Sequence, residues 1–274
     1  MTPHTLDPGH FYGQVLHKYE SRGVILSEIN HKSARRIPSH AHKLAFFSLL
    51  LKGEYAEQFG TKIIVYKPMM IMFHPPDFEH QDEIARAGAR FFSIELQRLW
   101  LDRLREYTGS AQISTELHMG ELVWIATRLY REHKEYSDAC SSLAIEGLLL
   151  EMLAVAGRAT NVRELNAPAW LSRTVDLLRA EFQRSLTLDY ISSAVGVNPL
   201  RLSRMFRKSR QQTISDFVNR LRVEHCCRLL LETDAHLADI ALDAGFADQS
   251  HFTRIFKRVT SLTPKGFRHH LSRE

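Results

Sequence analysis

Two stretches of the C-terminal half place cations and hydrogen-bonding side chains at the same spacing. Leu202–Lys208 (LSRMFRK) recurs as Phe252–Arg258 (FTRIFKR). Arginine can pair with guanine, glutamine with adenine, and serine or threonine with several base edges, while lysine and arginine also bind phosphates. The chemistry that these residue types predict is recognition of DNA.

Each stretch follows a shorter helical pattern that ends in a glycine. Leu188–Gly196 recurs as Leu237–Gly245. A glycine supplies the positive φ that ends a helix, and Asn198 or Asp248 then caps the next one. Pro199 suits a first helical turn. The sequence therefore predicts two helix-turn-helix units, and a helical repeat without a role in nucleic-acid binding is the alternative.

The second helix of each unit has one apolar face. Leu202 and Phe206 are expected in the core of the first unit, and Phe252 and Phe256 in that of the second. Opposite them lie the predicted base-reading residues Leu200, Ser203, Arg204, Arg207, Gln249, Ser250, Thr253 and Arg254 and the predicted phosphate contacts Lys208, Lys257 and Arg258. Between the units, Ile214–Glu232 is predicted to be a helix of about 28 Å. Its apolar stripe consists of Phe217, Leu221, Leu229 and Leu230.

The charge distribution separates the two halves of the chain. Residues 1–168 carry 19 Lys and Arg against 20 Asp and Glu, a net charge of −1, whereas residues 169–274 carry 17 against 11, a net of +6. A basic segment joined to a neutral one is typical of a polyanion-binding domain, although a solvated basic surface is the alternative.

Other features of the sequence favour a cytoplasmic protein with no membrane partner. The three cysteines, Cys140, Cys226 and Cys227, form no C-x-x-C pair and are too few for a disulfide framework. No apolar run reaches the roughly 18 residues of a membrane span, and the first ten residues lack an apolar signal core.

The N-terminal half reads first as strands and then as helices. Short apolar runs separated by turn-prone residues predict a β-sandwich or barrel within residues 20–95; they are Gly23–Ile29, Leu44–Leu51, Lys62–Tyr66, Met69–Phe73 and Arg90–Leu96. Three helical stripes follow, formed by Leu96, Leu99, Trp100, Leu104 and Tyr107, by Leu117, Leu122, Ile125 and Leu129, and by Leu143, Ile145, Leu148, Leu149, Met152 and Leu153. The second stripe fits either an intradomain core or a dimer interface, and Leu143–Ala156 could pack on the barrel.

Residues 171–270 resemble the DNA-binding domain of AraC/XylS-family transcription regulators. The motif Ile240–Arg258 followed by Leu262–Arg268 carries the resemblance. It implies that seven residues face bases: Leu200, Ser203, Arg204, Gln249, Ser250, Thr253 and Arg254. Gln211-Gln212 departs from the family, which usually has a glycine there. The resemblance further implies double-stranded DNA and RNA polymerase as partners, a small-molecule effector, a possible homodimer, and activation as the commoner mode of regulation.

A histidine pattern in the N-terminal half resembles the sensor barrel of the same family, a relative of the cupins. His40, His42 and His80 occupy the three histidine positions of metal-binding cupins, and Gly53 matches the glycine that closes their first motif. Phenylalanine (Phe46 or Phe47) replaces the glutamate ligand, and Asp77 replaces a glycine. The three histidines are therefore expected to bind an effector or to be structural, and a metal site without the carboxylate stays an alternative. His74 is predicted to be a turn residue, with an extra polar group at the barrel mouth as the alternative.

The sequence thus predicts an α+β protein. A cupin-like barrel (1–95) precedes a helical, possibly dimerising region (96–160), a linker (161–168) and an all-α domain with two helix-turn-helix units (169–274). The expected function is effector-controlled regulation of transcription, without catalysis or a cofactor. The alternatives are a metal-binding cupin enzyme tethered to DNA and a constitutive DNA binder whose barrel only dimerises.

Overall fold

The structure is a computed structural model that describes residues 4–108, 120–135, 138, 140–161, 168–210 and 212–272. The chain forms two compact units, Met1–Arg163 and Glu164–Glu274. No helix within the described ranges has the length and apolar character needed to cross a membrane.

The N-terminal unit is built on one curled, eight-stranded sheet. Its strands are β1 (His4–Leu6), β2 (Gln14–Ser21), β3 (Val24–His31), β4 (Arg35–His42), β5 (Ala45–Phe59), β6 (Lys62–Tyr66), β7 (Ile71–His74) and β8 (His80–Leu96). The long strand β8 pairs with β5 along one edge, and with β4 and then β3 along the other. Strand β5 also pairs with β6 and β7, while β1 and β2 end the ladder. The sheet is therefore a half-barrel, and the paired strands β5 and β8 are its two longest.

A glycine contact makes the bend between these two long strands possible. The register of the β5–β8 pair shifts between Gly53 and Tyr55. Gly53 has a φ of +83°, and a Cβ atom there would lie 2.0 Å from the carbonyl oxygen of Gly88. Because only glycine allows this approach, the glycine expected to close the first histidine motif marks the place where the sheet curls.

Apolar side chains inside the curl form a core around Ile29, Leu50, Tyr55, Ile84 and Phe91. The five predicted apolar runs all coincide with strands. The sequence did not predict β1, β2 and β4. Strand β1 lies before the region of predicted strands (residues 20–95), and β2 only reaches its start. Strand β4 (RRIPSHAH) has no alternation of apolar and polar residues.

Helices α1 (Arg98–Thr108), α2 (Glu121–Glu135) and α3 (Ser141–Asn161) complete this unit. The predicted stripe Leu122, Ile125 and Leu129 is buried core; Leu117 lies outside the described residues. The predicted burial of two leucines is wrong, because Leu99 is 48% exposed and Leu143 is 69% exposed. Each lies near the start of its helix, where fewer neighbouring turns cover a side chain. Leu96 is buried at the end of β8 and not on α1.

The C-terminal unit is all helical. Its helices are α4 (Ala169–Glu181), α5 (Leu188–Val195), α6 (Pro199–Arg210), α7 (Ile214–Glu232), α8 (Leu237–Asp243), α9 (Gln249–Thr260) and α10 (Pro264–Ser272). The predicted bounds of α7 are confirmed, but its predicted stripe is only partly right. Leu230 is buried, whereas Phe217, Leu221 and Leu229 are half-buried. Instead α7 buries Val223, Cys226 and Cys227 as well, because helices pack around several of its sides.

Candidate functional sites

The first helix-turn-helix unit consists of α5 and α6. Thr187 caps α5 by accepting a hydrogen bond from the Tyr190 amide at 3.1 Å, and Gly196 ends it with a φ of 71°. Asn198 then caps α6, since its Oδ1 accepts from the Leu200 amide at 3.0 Å. Leu202 and Phe206 are fully buried, as predicted. The turn and the core together fix which face of α6 points outward.

The second unit, α8 and α9, repeats this arrangement. Gly245 follows α8 with a φ of +83°, and Asp248 caps α9 through its Oδ1, which accepts from the His251 amide at 2.7 Å. Phe252 and Phe256 are fully buried, again as predicted. The two units therefore share the local design that the sequence repeat indicated.

The predicted DNA-contacting residues lie on the outward faces of these two helices. Ten of the eleven are exposed, namely Leu200, Ser203, Arg204, Arg207, Lys208, Gln249, Ser250, Arg254, Lys257 and Arg258, and Thr253 is half-buried. Leu200 is 76% exposed. Arg258 pairs with Asp216 of α7 at 3.4 Å. Gln211, in the turn that departs from the family, lies outside the described residues.

Two further arginines of this basic unit have a structural role. Arg222 donates from Nε and Nη2 to the carbonyls of Phe182 and Arg184, both at 2.8 Å. Arg268 donates from Nη2 to the Ala235 carbonyl at 2.8 Å. These guanidinium groups join helices to loops and therefore do not belong to the candidate DNA surface. Charge counting along the sequence could not separate them from the exposed arginines.

A comparison with known proteins supports a common origin for this unit. A helix-turn-helix domain family model matches residues 191–270. The regulatory protein SoxS of Escherichia coli is 31% identical over 103 residues, which make up 38% of this chain and 90% of SoxS. The chain belongs to the AraC/XylS family of DNA-binding transcriptional regulators.

Two further relatives match part of the chain. An uncharacterised helix-turn-helix regulator of Staphylococcus aureus is 32% identical over 138 residues, half of this chain but only 18% of that protein's length. A transcriptional regulator of Chromobacterium violaceum with an AraC-type DNA-binding domain is 27% identical, with a TM-score of 0.36 over 38% of this chain and 93% of that structure.

In the N-terminal unit of this AraC-family regulator, four strands bring five titratable side chains close together. His40 and His42 lie on β4, Glu57 on β5, His74 on β7 and His80 on β8. All five are buried. Alternate residues of a strand face the same side, so His40 and His42 are presented together. The structure thus brings together the three predicted histidines.

The histidine rings are in mutual contact. The centroid distances are 4.3 Å for His40–His80, 5.2 Å for His40–His42 and 4.6 Å for His74–His80. Candidate ligand atoms of His40, His42 and His80 lie within 4.8 Å of one another, and so do those of Glu57, His74 and His80. Asp77, at the expected glycine position, has a φ of 59° and donates its amide to the His42 carbonyl. We name His40, His42, Glu57, His74 and His80 the histidine cluster.

Burial controls the charges in this cluster. It lowers the pKa of His42 to about 2 and that of His80 to about 3, and it also lowers the pKa of His40. The three imidazoles are therefore neutral near pH 7. Burial opposes ionisation of Glu57, but the adjacent His74 and His80 outweigh it and hold the pKa of that carboxyl below its usual value.

Sequence reasoning missed two members of the cluster. His74 was predicted in a turn, but it is buried in β7, and its Nε2 is hydrogen-bonded to the Glu57 carboxylate. Glu57 lies on β5 beyond Phe46 and Phe47, the residues that replace the expected glutamate. Spacing alone could not find it, because only the bend of β5 brings the far half of that strand to the cluster. Glu57 lies in the polar second half of that strand (KGEYAEQF), where no residue pattern distinguished it.

Proposed function

We propose that this regulator activates transcription by binding one asymmetric DNA site with α6 and α9. The observation that supports this is the pair of capped helices, each with a buried aromatic core and an outward face of cationic and hydrogen-bonding residues. A single chain carries both units, so its site need not be palindromic. The activator role and the partnership with RNA polymerase rest on the resemblance to the family.

Limited proteolysis tests the DNA-binding part. Cleavage between the two compact units should release a basic fragment that starts between residues 160 and 172. Its affinity for an operator duplex should fall steeply as the salt concentration rises, because binding to phosphates releases counterions. A folded fragment without salt-dependent DNA binding would contradict the assignment.

We further propose that His40, His42 and His80 form the effector site. Their burial in one cavity of the N-terminal unit supports this role. Replacement of each by alanine should weaken effector-dependent transcription in a reporter assay, while the isolated C-terminal fragment keeps its DNA affinity. If all three variants respond like the parent, the cluster is only structural.

A homodimer through α3 is the third part of the proposal. Leu143, Gly147, Leu150 and Ala154 are exposed and follow a heptad-like spacing on one face of this helix. The Leu122, Ile125 and Leu129 stripe is buried within the unit, so it is not available for an interface. Leu143→Glu with Leu150→Glu should convert a dimer to a monomer in analytical ultracentrifugation, whereas Leu99→Glu on α1 serves as the control.

A further inference from the structure

The cavity at the histidine cluster is too small for an ordinary organic effector. Its volume is about 60 Å³, whereas pockets for small organic molecules measure roughly 300–1,000 Å³. A cavity of this size has room for an ion and a few water molecules. An ion with its water ligands therefore fits this volume.

The ring nitrogens are arranged as metal ligands usually are. His40 Nδ1 lies 3.0 Å from the Pro38 carbonyl, and His80 Nδ1 lies 3.0 Å from the Phe78 carbonyl. If each Nδ1 donates to that carbonyl, Nε2 is left with a free lone pair. Such backbone partners commonly fix the tautomer and ring orientation of metal-binding histidines. His40 and His80 thus share one arrangement, in which the carbonyl belongs to the residue two positions before the histidine.

Three buried polar atoms at the cavity also lack a hydrogen-bond partner. They are His42 Nδ1, His74 Nδ1 and Asp82 Oδ1, none of which bonds to any described part of the chain. Leaving such an atom unsatisfied costs about 1–3 kcal/mol. A bound ion with its water ligands would satisfy atoms of this kind.

The charge balance of the cavity favours a cation. Among the described residues that line it, histidines and Asp82 are the titratable groups besides tyrosines, and no lysine or arginine contributes. Glu57 adds a carboxylate that is 1% exposed. Imidazole ligands suit Zn²⁺, Ni²⁺, Co²⁺ and other transition metals better than Mg²⁺ or Ca²⁺. Bonds of about 2.0–2.1 Å to such an ion require the three histidines to close in by less than about 1 Å.

We propose that one divalent transition-metal ion binds to His40, His42 and His80, that the Glu57 carboxylate held by His74 is its anionic neighbour, and that this ion is the effector. The inference rests on the proposed regulator function and specifies its ligand. Phe46 and Phe47 stand where a carboxylate was expected, and Glu57 provides one from farther along the same strand.

Metal titration of the full chain tests the binding step. The chain is stripped with a chelator and titrated with Zn²⁺, Ni²⁺ or Co²⁺ against a chromophoric competitor, with Mg²⁺ for comparison. We expect one ion per chain and a visible Co²⁺ absorption band typical of nitrogen ligands. His42→Ala and His80→Ala should weaken the affinity at least 100-fold, and Glu57→Gln about 10- to 100-fold.

The matched control is His31→Ala, because His31 lines the same cavity but belongs to neither ligand group. It should bind the ion nearly as the parent does, and circular dichroism of each metal-free variant verifies its fold. Absence of saturable binding by the parent, or equal affinity of the parent and the His42 and His80 variants, would overturn the proposal.

DNA binding separates this proposal from the proposed function. Zn²⁺, Ni²⁺ or Co²⁺ should change the DNA affinity or reporter output of the full chain at least fivefold, and not that of the His42→Ala variant. Tight metal binding without this change would overturn the effector role. A full chain that binds DNA but no metal would refute the metal site alone. A full chain that binds metal but no DNA would refute the proposed function as a regulator.

Discussion

The two helix-turn-helix units share one fold but differ in the chemistry of their outward helices. Helix α6 carries five cations in twelve residues, together with the exposed Leu200. Helix α9 carries three cations and opens with Gln249 and Ser250, whose side chains can hydrogen-bond to base edges. The difference suggests that α6 contributes more salt-dependent affinity and α9 more sequence discrimination.

The turns of the two units also differ in how tightly they are packed. A Cβ atom at Gly196 would meet nothing within 4 Å, whereas one at Gly245 would lie 2.1 Å from the Gln183 carbonyl oxygen. Gln183 also donates from its side chain to the Asp243 carbonyl at 3.0 Å. The second unit is thus fixed to the segment after α4, and its turn tolerates less change than the first.

The largest expected effect comes from the glycines of the two turns. Gly245→Ala should destabilise the C-terminal fragment by about 3 kcal/mol or more, because a steric overlap of roughly 1–3 kcal/mol adds to the left-handed backbone penalty of about 1–2 kcal/mol. Gly196→Ala incurs only that backbone penalty. Urea denaturation of both variants measures the difference, and equal losses would show that the two turns are packed alike.

Helix α7, which joins the two units, provides a second test, because a change in its stability should affect both units together. Burial raises the pKa of Glu224 on α7 to about 7. The folded state thus holds this proton more tightly than the unfolded chain, so its contribution is full below pH 4.5 and is lost as the pH rises through 7. Between pH 5 and 8.5 we expect a loss on the order of 2–3 kcal/mol.

Urea titrations at several pH values measure this loss. Glu224→Gln should remove most of it, whereas Glu232→Gln, at an exposed position of the same helix, should not. An unchanged pH profile in Glu224→Gln would show that another group causes the dependence.

Helix caps give the smallest expected difference. Asp248 makes a short hydrogen bond of 2.7 Å and adds a negative charge at the start of α9, while the bonds of Asn198 measure 3.0 and 3.4 Å. Asp248→Ala should therefore cost about 1 kcal/mol and Asn198→Ala somewhat less. Thermal melting of the fragment detects this difference, and the reverse order would mean that cap charge is unimportant here.

The C-terminal unit was predictable from the sequence because its signals are local. Glycine, cap and i, i+4 aromatic spacing repeat within each unit, and the structure confirms the capped helices and their buried Leu202, Phe206, Phe252 and Phe256. The stripe of α7 was harder to predict, because neighbours on several sides bury that helix. A single-face pattern does not describe such a helix.

The histidine cluster was only half predictable because its geometry is non-local. His40 and His42 alternate on one strand, and their spacing was readable. Glu57 and His74 join them only through the bend at Gly53 and the pairing of β5 with β7. No spacing along the chain encodes that approach.

Selection of binding sites from a randomised duplex library, at two salt concentrations, tests the central claim that α6 and α9 read one asymmetric site. The parent should select a non-palindromic, bipartite sequence. Arg254→Ala should relax one base position at a cost of about 1–3 kcal/mol, Arg204→Ala should relax one in the other half, and Lys257→Ala should keep the sequence but lower the salt dependence. If neither arginine variant changes the selected sequence, or if both change the same position, the two-helix account is wrong.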